Sequence, residues 1–585
     1  MKIVFYSSST NEYDASAFHY MAYPACCSQL EELAAAHSEH EFAVVARLPA
    51  FFLVDLENDG SFTRKAHGVE YVLLDAAGTA FETAGCDRQA VSADKAPAAF
   101  ASEADAADKT LSAVKACGAT SASGTSVSGK ALSADTAPAA FEAFAAAIAA
   151  LSPDIAIAAT CWMTPFDWLP LEDALIAEKL SENGIRTLCH STVSAEICFD
   201  KRLARAFFKE HHFPAPESLF LDHSLFWAGR GRSEFVVNPY KERLFSQLEK
   251  LHYPVVIKDT TGLSSFGMDV VNSPKAARSI LESRKTSGDR LIEEYAAGDQ
   301  FGVEVYGMPG SYYVMSPFLF SVTQYGITSP KQSVKLSVSG DEAETRFHLA
   351  DMRRLVTDMA EALELRGAAQ FDLVFRGAEC LESGQEPACR YGGWTVIEIN
   401  PRLSGLTAPT AVLAGKSAPE LLLETACLES GQEPACGATP EKRAASLESG
   451  LEPACGATPE KRAACLESGN EHACGEVSEK RAAYFESGNE HAFKRAPACV
   501  LDVKLTVLAE KRFKQLCALP YVYAVNQTVN DAARQNRERG YCEVVLGAET
   551  ASALLERLDE LKVMFPEELD DAFVESAREL CGKYV

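Results

Sequence analysis

The chain has 585 residues, 47% of them hydrophobic and 23% charged. A single hydrophobic core stops growing at about 250 to 300 residues, and this composition is that of folded globular protein, so several packed units are expected and a wholly disordered chain is excluded. The net charge of −27, from 55 basic and 82 acidic side chains, excludes a broad nucleic-acid or anionic-membrane surface, which needs a basic face.

A polyanionic ligand would therefore have to be held by a few local cations. The most apolar stretch, Ala139 to Met163, is mostly alanine and is cut by Glu142, Pro153 and Asp154, so no membrane span is expected. The opening MKIVFYSSSTNEYD turns polar too soon for a signal peptide. A cytoplasmic location follows as the expectation, with the 18 cysteines as reduced thiols.

In chain order, short apolar runs at Ile3 to Tyr6, Phe42 to Val45, Tyr71 to Leu74, Ile155 to Ala159 and Thr187 to Cys189 alternate with helical patterns. This predicts a mainly parallel, doubly wound α/β sheet over residues 1–190. Within it, residues 85–150 change to alanine, serine and threonine with few large apolar side chains, the texture of a poorly ordered insertion. VSADKAPAAF (Val91 to Phe100) returns there as LSADTAPAAF (Leu132 to Phe141).

A second unit is expected over 191–425, interrupted by a repeat fragment at 378–393. Full copies of that repeat follow at 426–499, where LESGQEPACGATPEKRAAS (Leu428 to Ser446) recurs at a 19-residue period. Each copy has too few large apolar side chains to stack into a solenoid core, so an exposed, disordered insertion is expected. From residue 500 to 585, VLDVKLTVL, CEVVLG and ASALLERLDELKVMF predict a small α+β unit.

The chemistry concentrates in the second unit. YPVVIKDTTGLSSFGMDVV (Tyr253 to Val271) reads as a strand ending in Lys258, a loop with Gly262, Ser264, Ser265 and Gly267, and a second strand. An ammonium beside a small flexible loop can hold polyphosphate, because glycines let backbone N–H groups approach. Taken singly, such a segment is more often plain structure. RLIEEYAAGDQFGVEVYG (Arg290 to Gly307) reads as strand, linker, strand, whose EEYA offers backbone groups to an adenine edge. In WTVIEINPRLSG (Trp394 to Gly405), Glu398 and Asn400 stand two apart on an apolar strand and point the same way. Two inward oxygen donors are costly to bury unless a cation meets them, and hard oxygen ligands suit Mg²⁺ (or Mn²⁺). Arg402 follows, with a donor fork suited to phosphate.

These segments, in this order, resemble the ATP-grasp superfamily, in particular its carbamoyl phosphate synthetase, biotin carboxylase and amino-acid ligase branches. The resemblance implies a Rossmann-like N-terminal domain, a two-lobed ATP-grasp domain and a small α+β C-terminal domain. It carries FDKRLARAFFKEHHFPAP (Phe199 to Pro216) over as the segment whose Lys201 contacts nucleotide phosphate, and gives Lys258 and the loop with Ser264, Ser265 and Gly267 the same kind of role. It makes Glu293, Glu294, Tyr295 and Ala296 the adenine hinge. Gln370 of AAQFDLVF, Glu398 and Asn400 become the Mg²⁺ ligands, with Asp372 near them, and Arg402 faces the reacting phosphate. Gln300 stands where many relatives bind the ribose through glutamate.

The reaction so implied is ATP-dependent activation of a carboxylate as an acyl phosphate and its capture by an amine or other nucleophile, on small-molecule substrates. Carbamoyl-phosphate-type or carboxylating activity, or nucleotide binding without turnover, are the alternatives. Gln324, Lys331 and Lys335 fall where relatives place substrate-facing residues, although a cationic edge strand explains them almost as well. GTSVSGKA (Gly124 to Ala131) imitates a P-loop but lacks its final Ser or Thr and any preceding strand. Cys465, His472 and Cys474 imitate a zinc site without paired spacing.

Overall fold

The structure is a computed structural model that describes residues 1–8, 19–23, 26–47, 68–74, 137–161, 169–228, 237–261, 268–283, 288–322, 333–377, 390–429, 496–529 and 541–583. The sheets contain, in chain order, β1 (Lys2–Ser7), β2 (His19–Tyr23), β3 (Glu41–Arg47), β4 (Val69–Leu74), β5 (Ile155–Ala158) and β6 (Arg186–Leu188). All but β2 form a five-stranded sheet in the order β4-β3-β1-β5-β6, parallel throughout. Its strands are apolar almost without interruption, Ile3, Val4, Phe5 and Tyr6 being fully buried, as a parallel sheet covered on both faces requires.

One face of that sheet overturns an expectation. Residues 137–150 form a helix, Ala137–Ala150, not part of an unstructured insertion. Phe144 and Ile148, one helical turn apart, pack with Ala145 against Val4, Tyr6 and Val45. Alanine is the best helix former, and the two large side chains supply the apolar stripe that docks it. The remainder of 85–150 lies outside the described residues, as do the P-loop imitation and almost all of the repeat block.

Next come β7 (Ser218–Leu221), β8 (Val255–Asp259), β9 (Asp269–Val271) and β10 (Arg290–Glu294), an antiparallel sheet in the order β7-β10-β8-β9. Its core is Leu221, Phe226, Leu244, Phe245, Ile257 and Ile292 with their neighbours.

The third sheet has ten strands. It contains β11 (Asp299–Met308), β12 (Ser311–Val314), β13 (Phe318–Phe320), β14 (Lys335–Ser337), β15 (Gly367–Phe375), β16 (Trp394–Asn400), β17 (Cys499–Leu505), β18 (Val522–Val529) and β19 (Tyr541–Ala548). The order is β16-β15-β11-β13-β14-β17-β19-β18-β2, with β12 on β11. The strands after residue 499 therefore extend the central sheet through β14 instead of closing a sheet of their own. One core runs through both parts, from Phe301, Phe371 and Trp394 to Leu501, Val544 and Leu558. β14 lies between β13 and β17, so Lys335 is on an interior strand, not an edge. No helix among the described residues is long and apolar enough to cross a membrane.

Candidate active site

The site forms on one face of β11, β15 and β16, and its geometry follows from register. Glu304 lies opposite Gln370, and Gln370 opposite Asn400; one step along, Asp372 lies opposite Glu398. Cross-strand partners share a face, and so do residues two apart, which makes a grid of polar side chains on an apolar sheet. Asn400 donates to Gln370 Oε1 at 2.8 Å, and Gln370 donates to Asp372 Oδ1 at 2.7 Å. Arg402 reaches back to Asn400 Oδ1 at 3.3 Å.

Lys201 approaches the grid from the neighbouring helix Lys201–Glu210. Asp200 caps that helix by accepting from the Arg202 and Leu203 N–H groups, and the Lys201 N–H donates to the Thr260 carbonyl at 2.8 Å. That bond ties the helix start to the end of β8. A lysine in a first helical turn opposes the helix dipole; here it meets Glu398 Oε1 at 3.2 Å.

Lys258, at the end of β8, pairs with Glu293 of the adjacent β10, and Arg205 pairs with the same carboxylate from the other side. All three are buried. Burial alone would push the Glu293 carboxyl up, but the Arg205 and Lys258 cations hold it at about 2. The ladder between β15 and β16 shifts register between Asp372 and Leu373, leaving Ile397 opposite no partner. Its freed carbonyl accepts from Arg205 at 2.7 Å. Arg205 thereby joins the smaller sheet to the strand carrying Glu398 and Asn400. Sequence reasoning passed over Arg205; its signal was its position four residues after Lys201 on the same helix face.

The electrostatics of the grid are unbalanced. Burial and then the neighbouring Glu398 carboxylate push Asp372 up to about 7. Glu398 stays below the usual carboxylate range because Lys201 and Lys258 outweigh its own desolvation. Two carboxylates facing each other beside two amide oxygens form an all-oxygen donor set with repulsion left in it, which a hard divalent cation relieves. The residues present fit magnesium on that ground.

Glu294 turns away from Glu293 and accepts from the His252 backbone and ring nitrogens at 2.8 and 2.9 Å. The Tyr295 N–H donates to the Pro254 carbonyl at 2.9 Å, and Tyr295 and Ala296 lie half-buried in the linker from β10 to β11. That linker ends at Gly298, with φ +150°, where a Cβ would collide with the Phe375 carbonyl. Gln300 is half-buried on β11 opposite Val374. Ser264, Ser265 and Gly267 lie outside the described residues, as do Gln324, Lys331 and the Cys465, His472 and Cys474 set. Lys335 is not free to face a substrate: Asp502, Glu543 and the Gly405 carbonyl all engage its ammonium. Glu304 was also overlooked. It is buried, pushed up by that burial, and accepts from Ser404 and Thr407 hydroxyls at 2.7 Å and from Tyr306 at 3.0 Å.

Residues 198–406, which include the lysine pair, the acid–amide strand and the trailing arginine, match the family model of the ATP-grasp domain. Among curated proteins, a D-alanine–D-alanine ligase of Clostridium botulinum (strain Alaska E43 / Type E3) is 24% identical over 137 residues, which are 23% of this chain and 40% of the relative. The chain thus spans about two fifths of the length of that curated relative, from the 40% covered. Two solved structures are similar over 97% of this chain and 97% of their own. They are an L-amino acid ligase from Bacillus licheniformis, at 14% identity and TM-score 0.48, and the ADP complex of purK, N5-carboxyaminoimidazole ribonucleotide synthetase, at 11% identity and TM-score 0.49.

Proposed function

We propose that the chain is an ADP-forming ligase that activates a small carboxylate with ATP and joins it to an amine or other nucleophile. The observation that carries the reading is the meeting of Lys201 with Glu398 at 3.2 Å, on the strand where Asn400 links Gln370 to Arg402. In this reading Lys201, Lys258 and Arg402 neutralise and orient the triphosphate. The substrate carboxylate oxygen attacks the γ-phosphorus, the bond to the β,γ-bridging oxygen breaks, and ADP leaves. The nucleophile then attacks the acyl carbon, loses its proton and displaces phosphate. Glu398, Asn400 and Gln370, with Asp372 beside them, would hold Mg²⁺, which when bound supplies positive charge against the phosphate oxygens. In this reading the stretch from Glu293 and Glu294, at the end of β10, to Tyr295 and Ala296 of the linker borders the adenine. The Glu293 side chain is already committed to Lys258 and Arg205.

The test is an ADP-release screen over pairs of amino acids and other small carboxylates. ADP that appears only when a carboxylate is present supports the ligase. Turnover on bicarbonate alone moves the activity to the carboxylating alternative. Nucleotide binding without ADP release under any pair removes the catalytic reading.

A further inference from the structure

Farther along the ten-stranded sheet, β14, β17 and β19 bring four charges together, three of them buried. Asp502 is 0%, Lys504 1% and Lys335 7% exposed. Lys335 Nζ lies 2.7 Å from Asp502 Oδ2 and 3.2 Å from Glu543 Oε1. Lys504 donates to both Asp502 oxygens at 2.8 and 3.0 Å and also to Glu543. Two cations balance two anions, so the group has no net charge to offer a ligand. It does have an outward connection: the third Lys335 donor, beyond its two carboxylate partners, goes to the Gly405 carbonyl at 2.8 Å.

Gly405 belongs to the short loop that leaves β16 through Arg402. The other residues of that loop are held from other parts of the fold. Leu403 forms an isolated parallel bridge with Cys161, just past β5. Ser404 and Thr407 donate their hydroxyls to Glu304 of β11. The loop carrying the guanidinium is therefore pinned from β5, β11 and β14. Only the last of these pins depends on residues after 496.

We propose that Lys335 is a positioning residue for Arg402: held by Asp502 of the C-terminal strands, it fixes the Gly405 carbonyl and through it the direction of the guanidinium. The C-terminal segment is then part of the catalytic unit, although none of its residues need touch a substrate. This inference rests on the ligase reading for what Arg402 does.

Two charge-balanced double variants of the full chain test it. Lys335→Met/Asp502→Asn removes one ion pair and the bond to Gly405. Lys504→Met/Glu543→Gln removes one ion pair from the same quartet and leaves Lys335, Asp502 and Gly405 connected. The first is expected to lower kcat for ADP release by about tenfold to a hundredfold, with KM for ATP within about twofold, because misplacement costs rate more than binding. The second keeps kcat, and Lys335→Arg, which retains a donor, recovers most of the rate. Hydrogen exchange of the 403–407 backbone is expected to quicken in the first variant alone, a readout that needs no turnover. Equal loss of rate in both doubles, loss in neither, or unchanged exchange in the first overturns the proposal. A wild-type chain that releases no ADP with any substrate pair sinks the ligase reading, while the exchange measurement still decides the clamp.

Discussion

Two clusters of charge share the ten-stranded sheet, and they are built on opposite logic. On β14, β17 and β19 the cations and anions are equal in number, mutually bonded and, Glu543 apart, buried. On β15 and β16 two carboxylates face each other beside two amides, with Glu398 a quarter exposed at its side chain. A closed, neutral set of ions is a structural joint, because its partners already repay the loss of water. In the open set Lys201 meets Glu398, while burial and the Glu398 carboxylate leave Asp372 raised. The two clusters thus differ in how much of their charge is already balanced within the protein.

Removing one charge from each cluster breaks the comparison most sharply. Glu398→Ala is expected to lower ADP release by at least about a thousandfold, on the order of 4 kcal/mol of transition-state stabilisation, while circular dichroism and the thermal midpoint report an intact fold. Unchanged turnover would remove the metal-site assignment. Asp502→Asn should do the reverse to stability. It leaves two buried cations facing one anion, at a cost of about 3–5 kcal/mol, read as a lower urea midpoint; a midpoint equal to wild type would show that the quartet contributes nothing.

A third kind of buried titratable group sharpens the comparison, because its cost depends on pH. His190 accepts from the Arg366 N–H at 3.1 Å and donates to the Ala368 carbonyl at 2.9 Å, joining the parallel sheet to β15 as a neutral ring. Burial lowers it from 6.5 to about 4. A group whose folded value is depressed supports the fold above its unfolded value and stops doing so as pH falls through the folded one. Stability should thus drop between pH 6.5 and about 4, by at most about 3 kcal/mol. His190→Gln should flatten that part of the profile, and an unaltered profile would assign the drop elsewhere. The smallest effect is expected from deleting residues 430–483, which spares the helix Ala418–Glu429. ADP release should stay within about twofold, since loop length enters stability only logarithmically; loss of folding on deletion would show that the repeats are packed.

Much of the site was legible from local pattern. Glu398 and Asn400 share a face because a strand repeats every two residues, and Lys258 ends a strand because its apolar run ends there. The triad of Arg205, Lys258 and Glu293 was not legible, because it joins residues 88 apart through a register that only the folded sheets specify. LDVKL carried a trace of the quartet, two opposite charges on one face of an apolar strand, but its partners Lys335 and Glu543 come from distant strands. The helix Ala137–Ala150 was missed because alanine-rich texture reads alike whether or not a surface exists to receive Phe144.

Alternating apolar runs and an acid and an amide at strand spacing determined the α/β class and the polar pair on β16, since these depend on neighbours in the chain. Tertiary structure alone decided that the last strands continue the central sheet, that Lys335 faces Gly405 instead of solvent, and that Asp372 is raised while Glu293 is lowered. Burial and charge pairing are set by which strands meet, and no local spacing contains that information.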